Sequence, residues 1–173
     1  MFFTRTCHSE PVHLIKSHLS KSYVRYERPP LRGLTFYESE FSLLGDQGLA
    51  RIHLPPKAQY QAYVDGQAVF SIQEAWGGHG PGALIAYDLA ALKADAAAAK
   101  PALVFQPGPR QAVQQVSATD GRLVVVLLED VKGAVDAYDF RDGAWTKPQR
   151  LPLPADANIN LVDTASKDDQ LFV

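Results

Sequence analysis

Cysteine is almost absent. Cys7 is the only one in 173 residues, so an internal disulfide and a C-x-x-C metal site are both excluded. A single thiol suits the cytoplasm and the periplasm alike, and the compartment stays open between them. Long apolar runs are missing too. The longest is Leu123 to Leu128, far short of the roughly 20 residues that span a bilayer as a helix. The start, Met1-Phe2-Phe3-Thr4-Arg5, lacks a cationic stretch leading into an apolar one, so no signal-peptide pattern is visible. Neither charge sign dominates. Lys and Arg number 17 against 19 Asp and Glu, giving a formal net charge of -2, and the two signs are interspersed. No basic face of the kind that nucleic acid or an anionic membrane requires is expected.

What remains is the balance of a globular protein, with 46% hydrophobic and 21% charged residues. Short apolar or alternating runs recur at Ser22–Glu27, Leu34–Tyr37, Glu40–Leu44, Leu49–Leu54, Gln67–Gln73, Ala83–Asp88, Ala102–Phe105, Ala112–Ser117, Arg122–Leu128, Ala134–Phe140, Trp145–Arg150, Ile159–Asp163 and Gln170–Val173. Gly, Pro, Asp and Asn clusters separate them, the pattern of an all-β sandwich, barrel or propeller. Leu89–Ala99 breaks the pattern. It is rich in helix formers, Pro101 follows it, and it predicts one short inserted surface helix. The chain also repeats. Val64-Asp65-Gly66 leads through an apolar run to Ala86-Tyr87-Asp88, and Thr119-Asp120-Gly121 leads the same way to Ala137-Tyr138-Asp139. Asp65 and Asp120 lie about 55 positions apart, close to a blade period of about 40–50 residues with a loop insertion. Lys167-Asp168-Asp169 resembles the opening of a third copy. Val173 falls inside an apolar run with no turn after it, so the chain is expected to be cut there.

Candidate chemistry is sparse. The nucleophile elbow G-x-S-x-G does not occur around Ser9, Ser17, Ser20, Ser22, Ser39, Ser42, Ser71, Ser117 or Ser166. Without it there is no exposed nucleophile with an adjacent oxyanion hole. His8, His13 and His18 are spaced by five, which suits neither a helix face nor a strand face for metal ligation, and they read as an irregular N-terminal segment. His53 reads as a surface or rim histidine beside Pro55-Pro56. His79 lies in Gly77-Gly78-His79-Gly80-Pro81-Gly82, which fits neither phosphate-binding glycine pattern and reads as a hairpin loop. Glu129-Asp130 and Asp168-Asp169 read as solvated turn carboxylates, and Asp65 and Asp120 as turn formers. Trp76 and Trp145 read as packing or blade-edge aromatics, with the lining of a peptide path as the functional alternative for Trp76.

Several segments resemble the propeller of bacterial prolyl oligopeptidase family proteins. They are Leu34-Thr35-Phe36-Tyr37-Glu38-Ser39-Glu40-Phe41-Ser42-Leu43, Gly80-Pro81-Gly82-Ala83-Leu84-Ile85-Ala86-Tyr87-Asp88-Leu89, Val104-Phe105-Gln106-Pro107-Gly108-Pro109-Arg110, Val116-Ser117-Ala118-Thr119-Asp120-Gly121-Arg122-Leu123 and Leu128-Glu129-Asp130-Val131-Lys132-Gly133. The resemblance is collinear from about Leu31 to Val173. It implies antiparallel four-stranded blades, about three to four of them over residues 21–173, forming roughly half of a seven-bladed β-propeller. Residues 1–20 are an N-terminal segment outside the match. In the family the propeller caps an α/β-hydrolase domain and admits only short peptides. The family's catalytic Ser, Asp and His have no matching positions here, so no catalytic, cofactor or metal residue is carried over, and the chain is expected to be no enzyme by itself. Its implied partners are its own hydrolase domain and short peptides. Half a ring leaves blade faces and edge strands bare, which predicts a homodimer. A stand-alone interaction module, binding a protein or a carbohydrate, is the competing reading.

Overall fold

The computed structural model describes residues 13–16, 23–27, 39–45, 48–153, 159, 161, 163–164 and 171–172. Its strands form antiparallel meanders in which order across the sheet equals order along the chain. The first sheet runs β1 (His13–Lys16), β2 (Tyr23–Glu27), β3 (Glu40–Gly45), β4 (Gly48–Arg51). The second runs β5 (Ala58–Val64), β6 (Gln67–Ile72), β7 (Leu84–Asp88), β8 (Ala102–Phe105), with α1 (Leu89–Ala94) between its last two strands. The third runs β9 (Gln111–Ala118), β10 (Arg122–Glu129), β11 (Lys132–Arg141), and its fourth place is shared by β12 (Ala144–Trp145) and β13 (Gln149–Arg150), both paired to β11. The run expected over Trp145–Arg150 is therefore split, and the break falls at Lys147-Pro148, where proline has no N–H for the ladder. Last comes a hairpin of β14 (Asp163–Thr164) and β15 (Leu171–Phe172). The four-stranded meander is the blade of a β-propeller, so the all-β class with one short helix holds.

Tight turns set the register. Asp65-Gly66, Asp130-Val131 and Asp142-Gly143 each place two successive residues at positive φ, the two-residue turn whose twist matches paired strands. Gly77-Gly78 does the same, and Trp76 and His79 exchange both backbone hydrogen bonds across it at 2.9 Å, so the glycine-rich loop closes as a miniature hairpin. The turn expected at Asp168-Asp169 lies outside the described residues, but β14 and β15 on either side of it pair as the expected third copy requires. Leu34–Tyr37 also lies outside them.

Core residues sit between sheets, on both faces of each central sheet. In β6 and β7, Ala68, Phe70, Ile72, Ile85 and Tyr87 pack toward Phe41, Leu43 and Ile52 of the first sheet and the segment after it. Their alternates Val69, Leu84 and Ala86 pack toward Leu123, Val125, Leu127 and Tyr138 of the third. The other face of the third sheet, Val124, Val126 and Val135, is covered by Ile159, with Leu151, Leu153 and Leu161 beside it. Period-two alternation with both faces buried is what stacked blades demand. Ile159 belongs to this core without being in a strand, so the strand expected over Ile159–Asp163 is corrected to Asp163–Thr164 alone.

Two expectations change. β5 was not foreseen from the sequence. The helix expected over Leu89–Ala99 ends at Ala94, because Asp95 turns extended (φ -158, ψ 99) and its Oδ1 accepts from the N–H groups of Ala97 (2.9 Å) and Ala98 (3.2 Å). That local turn outcompetes helix continuation. At the other end, Asp88 Oδ1 caps α1 by accepting from Ala91 N at 2.9 Å, and Leu89 and Leu92 are buried against the first core layer. The boundary expected at residue 21 falls between β1 and β2, which pair with one another, so the first sheet already includes His13–Lys16.

Candidate functional site

The residues singled out in the sequence are scattered. Ser71, buried on β6, accepts a hydrogen bond on Oγ from Gln61 Nε2 at 2.8 Å and is no free nucleophile. His53 stacks at a tilt on Trp76, with ring centroids 5.4 Å apart, and Trp76 packs against the first core layer. His79 closes the miniature hairpin. Asp130 pairs with Arg110 at 3.2 Å. Trp145 packs on Phe140 at 5.3 Å, and its buried Nε1 has no partner among the described residues. His13 stands in β1, whereas His8, His18, Ser9, Ser17, Ser20, Ser22, Ser166 and Asp168-Asp169 lie outside the described residues. Among the described residues no three His, Cys, Asp or Glu side chains come together as a metal site, and no helix is long and apolar enough to cross a membrane.

What the structure does bring together is a set of glutamines. A cleft of about 450 Å³ opens between the second and third sheets at the end where β5 and β9 begin. Gln59 and Gln61 of β5, Gln73 after β6, and Gln111 and Gln114 of β9 line it, with Ser71, Ala112, Val113, Pro81, Gly82 and Pro107. No charged and no aromatic side chain is in the lining. Two bulges shape it. The ladder between β5 and β6 skips Gln61, and that between β9 and β10 skips Gln114, so each strand carries one extra residue at a glutamine. An inserted residue bends a strand and inverts the faces beyond it. Thus Ala58 packs toward the first sheet while Ala62 and Val64 pack toward the third. Gly82, at φ 81, lets the loop before β7 approach Pro107, whose Cγ would lie 3.0 Å from any added Cβ. Composition gave no warning of this cleft. The signal that could have found it is glutamine recurring in the first strands of the second and third sheets, β5 and β9.

Beside the cleft runs a polar network. Gly108 N donates to Gln111 Oε1 (2.9 Å), Gln111 Nε2 donates to Glu129 Oε1 (2.7 Å), and Arg150 grips both Glu129 oxygens (2.9 Å each). Arg150 also donates to both oxygens of Asp136, which is 4% exposed. The Arg150 hydrogen bond holds the Glu129 carboxyl below its ordinary range against a smaller opposing effect of burial, and the same two carboxylates hold the Arg150 guanidinium firmly protonated. The network ties the strand that fills the fourth place, β13, to β10 and β11. The repeat tyrosines differ in their ends. Tyr87 donates to the backbone carbonyl of His53 at 2.7 Å, and burial pushes its hydroxyl up to about 12. Tyr138, at the matching place in the next unit, has a buried hydroxyl with no partner among the described residues, raised by burial and then by Asp136.

Similarity to known proteins follows this geometry. No protein-family model matches the chain. It is 33% identical over 152 residues to the uncharacterized peptidase y4nA of Sinorhizobium fredii, a match covering 82% of this chain and 21% of that protein. Among solved structures it is similar to a post-proline cleaving enzyme from Rickettsia typhi, with a TM-score of 0.62 and 20% identity over 77% of this chain and 20% of that one. The chain is related to the prolyl oligopeptidase-type peptidases. It spans about a fifth of the length of the curated relative it matches. Within the prolyl oligopeptidase frame its sheets are blades, as the collinear sequence segments imply, and the glutamine cleft lies between two consecutive blades.

Proposed function

We propose that the chain is a non-catalytic propeller portion of a prolyl oligopeptidase-type peptidase, and that its blades restrict which peptides reach a hydrolase site supplied by other parts of the protein. The observation that carries this reading is the stacking of the four-stranded blades with both faces of the central ones buried, so that the described residues supply walls and, among them, no assembled nucleophile. No residue is assigned a catalytic, cofactor or metal role. The lack of G-x-S-x-G supports this, as does the commitment of Ser71 to Gln61. The physical action is steric: a ring of blades leaves an opening that passes an extended peptide and stops a folded protein. The test is a substrate-length series on a peptidase containing this stretch. Cleavage is expected to fall steeply as a folded domain replaces a short peptide. Weakening the blade stack with Val125→Ala is expected to relax that fall without changing turnover of the shortest peptide. An unchanged length preference despite a loosened stack would count against the reading. We propose also that the chain on its own self-associates as a homodimer through edge strands or blade faces.

A further inference from the structure

We propose that the cleft between the second and third sheets is a binding site for an extended, uncharged peptide segment, recognised through its main-chain amides by the side-chain carboxamides of the cleft. The proposal rests on the peptidase reading and deepens it by naming what the blades hold. A carboxamide presents one acceptor and two donors without charge, the same groups a peptide bond offers. Gln59, Gln73 and Gln114 have no partner for these groups among the described residues, and all three are exposed in the cleft. Gln61 and Gln111, by contrast, are pinned by Ser71 and by Gly108 and Glu129. The free recognition groups stand on paired strands and at their ends, so binding orders their side chains and not the backbone that carries them.

The remaining features select the ligand class. A lining without charge in a chain that is 21% charged offers no counter-charge to a phosphate or a carboxylate. A lining without aromatic rings lacks the stacking platform that a sugar face would use. Pro81 and Pro107 give rigid apolar contact for small side chains. The cleft's 450 Å³ falls within the roughly 300–1,000 Å³ of small-ligand sites. β5 and β9 are the first strands of their sheets, yet the bulges at Gln61 and Gln114 interrupt a regular ladder. A docked segment is thus held by side-chain carboxamides rather than by continuous strand addition.

The test uses the full chain, nitrogen-15 labelled, titrated with the blocked peptide acetyl-Ala-Gly-Ala-Gly-Ala-amide and with its analogue in which alternate amides are esters. The expected result is a saturable shift of the Gln59, Gln73 and Gln114 side-chain amide signals with the peptide. Affinity is expected to fall about tenfold for the ester analogue and by a similar factor for Gln59→Ala/Gln114→Ala, each lost pair of hydrogen bonds accounting for it. The substituted side chains are exposed, so an unchanged backbone spectrum verifies the fold of the variant, and Gln73→Ala serves as an independent second variant. Unmoved amide signals at millimolar peptide, equal affinity for amide and ester, or full binding by both variants would overturn the proposal. Fluorophosphonate labelling of the same sample reads the peptidase reading separately. A labelled serine alongside intact peptide binding would remove the non-catalytic reading and leave the cleft in place.

Discussion

Val131 occupies a position that its side chain resists. It lies at φ 70 in the turn between β10 and β11, directly after Asp130 at φ 47, and is 87% exposed. A β-branched residue in the left-handed region costs of order 1–3 kcal/mol, and nothing buried compensates here. Val131→Asn is expected to raise stability by about 1 kcal/mol, read as a higher denaturation midpoint at unchanged slope. No gain would mean that the turn relaxes in solution. Arg150 is the opposite case, a surface cation answering a buried anion. Arg150→Ala leaves Asp136, 4% exposed, without its counter-charge, and a loss of about 3 kcal/mol in chemical denaturation is expected. Glu129 adds a pH signature. Its folded value lies below the unfolded one, so its contribution is present above the unfolded value and is lost as pH falls through the folded one. With side chains 29% and 48% exposed for Glu129 and Arg150, that contribution stays below about 1 kcal/mol. Glu129→Gln is expected to flatten the acid side of the stability profile, and an unchanged acid slope would show the pair to be inert.

At the scale of elements, legibility followed phase. Strands buried on both faces, such as β6 and β10, stand out as continuous apolar runs bounded by turn residues. β5 does not, because the extra residue at Gln61 inverts its faces halfway and blurs the pattern Ala-Gln-Tyr-Gln-Ala-Tyr-Val. The candidate cleft stayed hidden for the same reason: its glutamines come from separate strands and converge only through two bulges and the close approach of Gly82 to Pro107. Propensity favours a helix through all of Leu89–Ala99, and one aspartate ends it at Ala94. Removing that competition tests the explanation. Asp95→Ala is expected to carry α1 onward through Ala96–Ala99, read as helical carbon-13 shifts at those alanines with little change in stability. Shifts that remain turn-like would place the cause in packing and not in the Asp95 carboxylate.

At the scale of the whole chain, three four-stranded meanders bury their apolar residues between sheets and on the outer face of the third, which ties stability to the neighbour relation of blades. Among the described residues the exposed large apolar side chains are Leu49, Leu103 and Val131, on β4, on β8 and in a turn. They stand on different sheets and in a turn, so the proposed dimer depends chiefly on edge strands, which offer unpaired backbone groups to a second copy. Light scattering is expected to give twice the 18.9 kDa chain mass, and a monomer at all accessible concentrations would remove the dimer. The central claim is that this stretch builds walls and does no chemistry itself. Its most direct measurement is exposure of the purified, folded chain to a fluorophosphonate serine label, with intact-mass detection. The account predicts an unmodified mass after prolonged incubation; stoichiometric labelling of any single serine would contradict it.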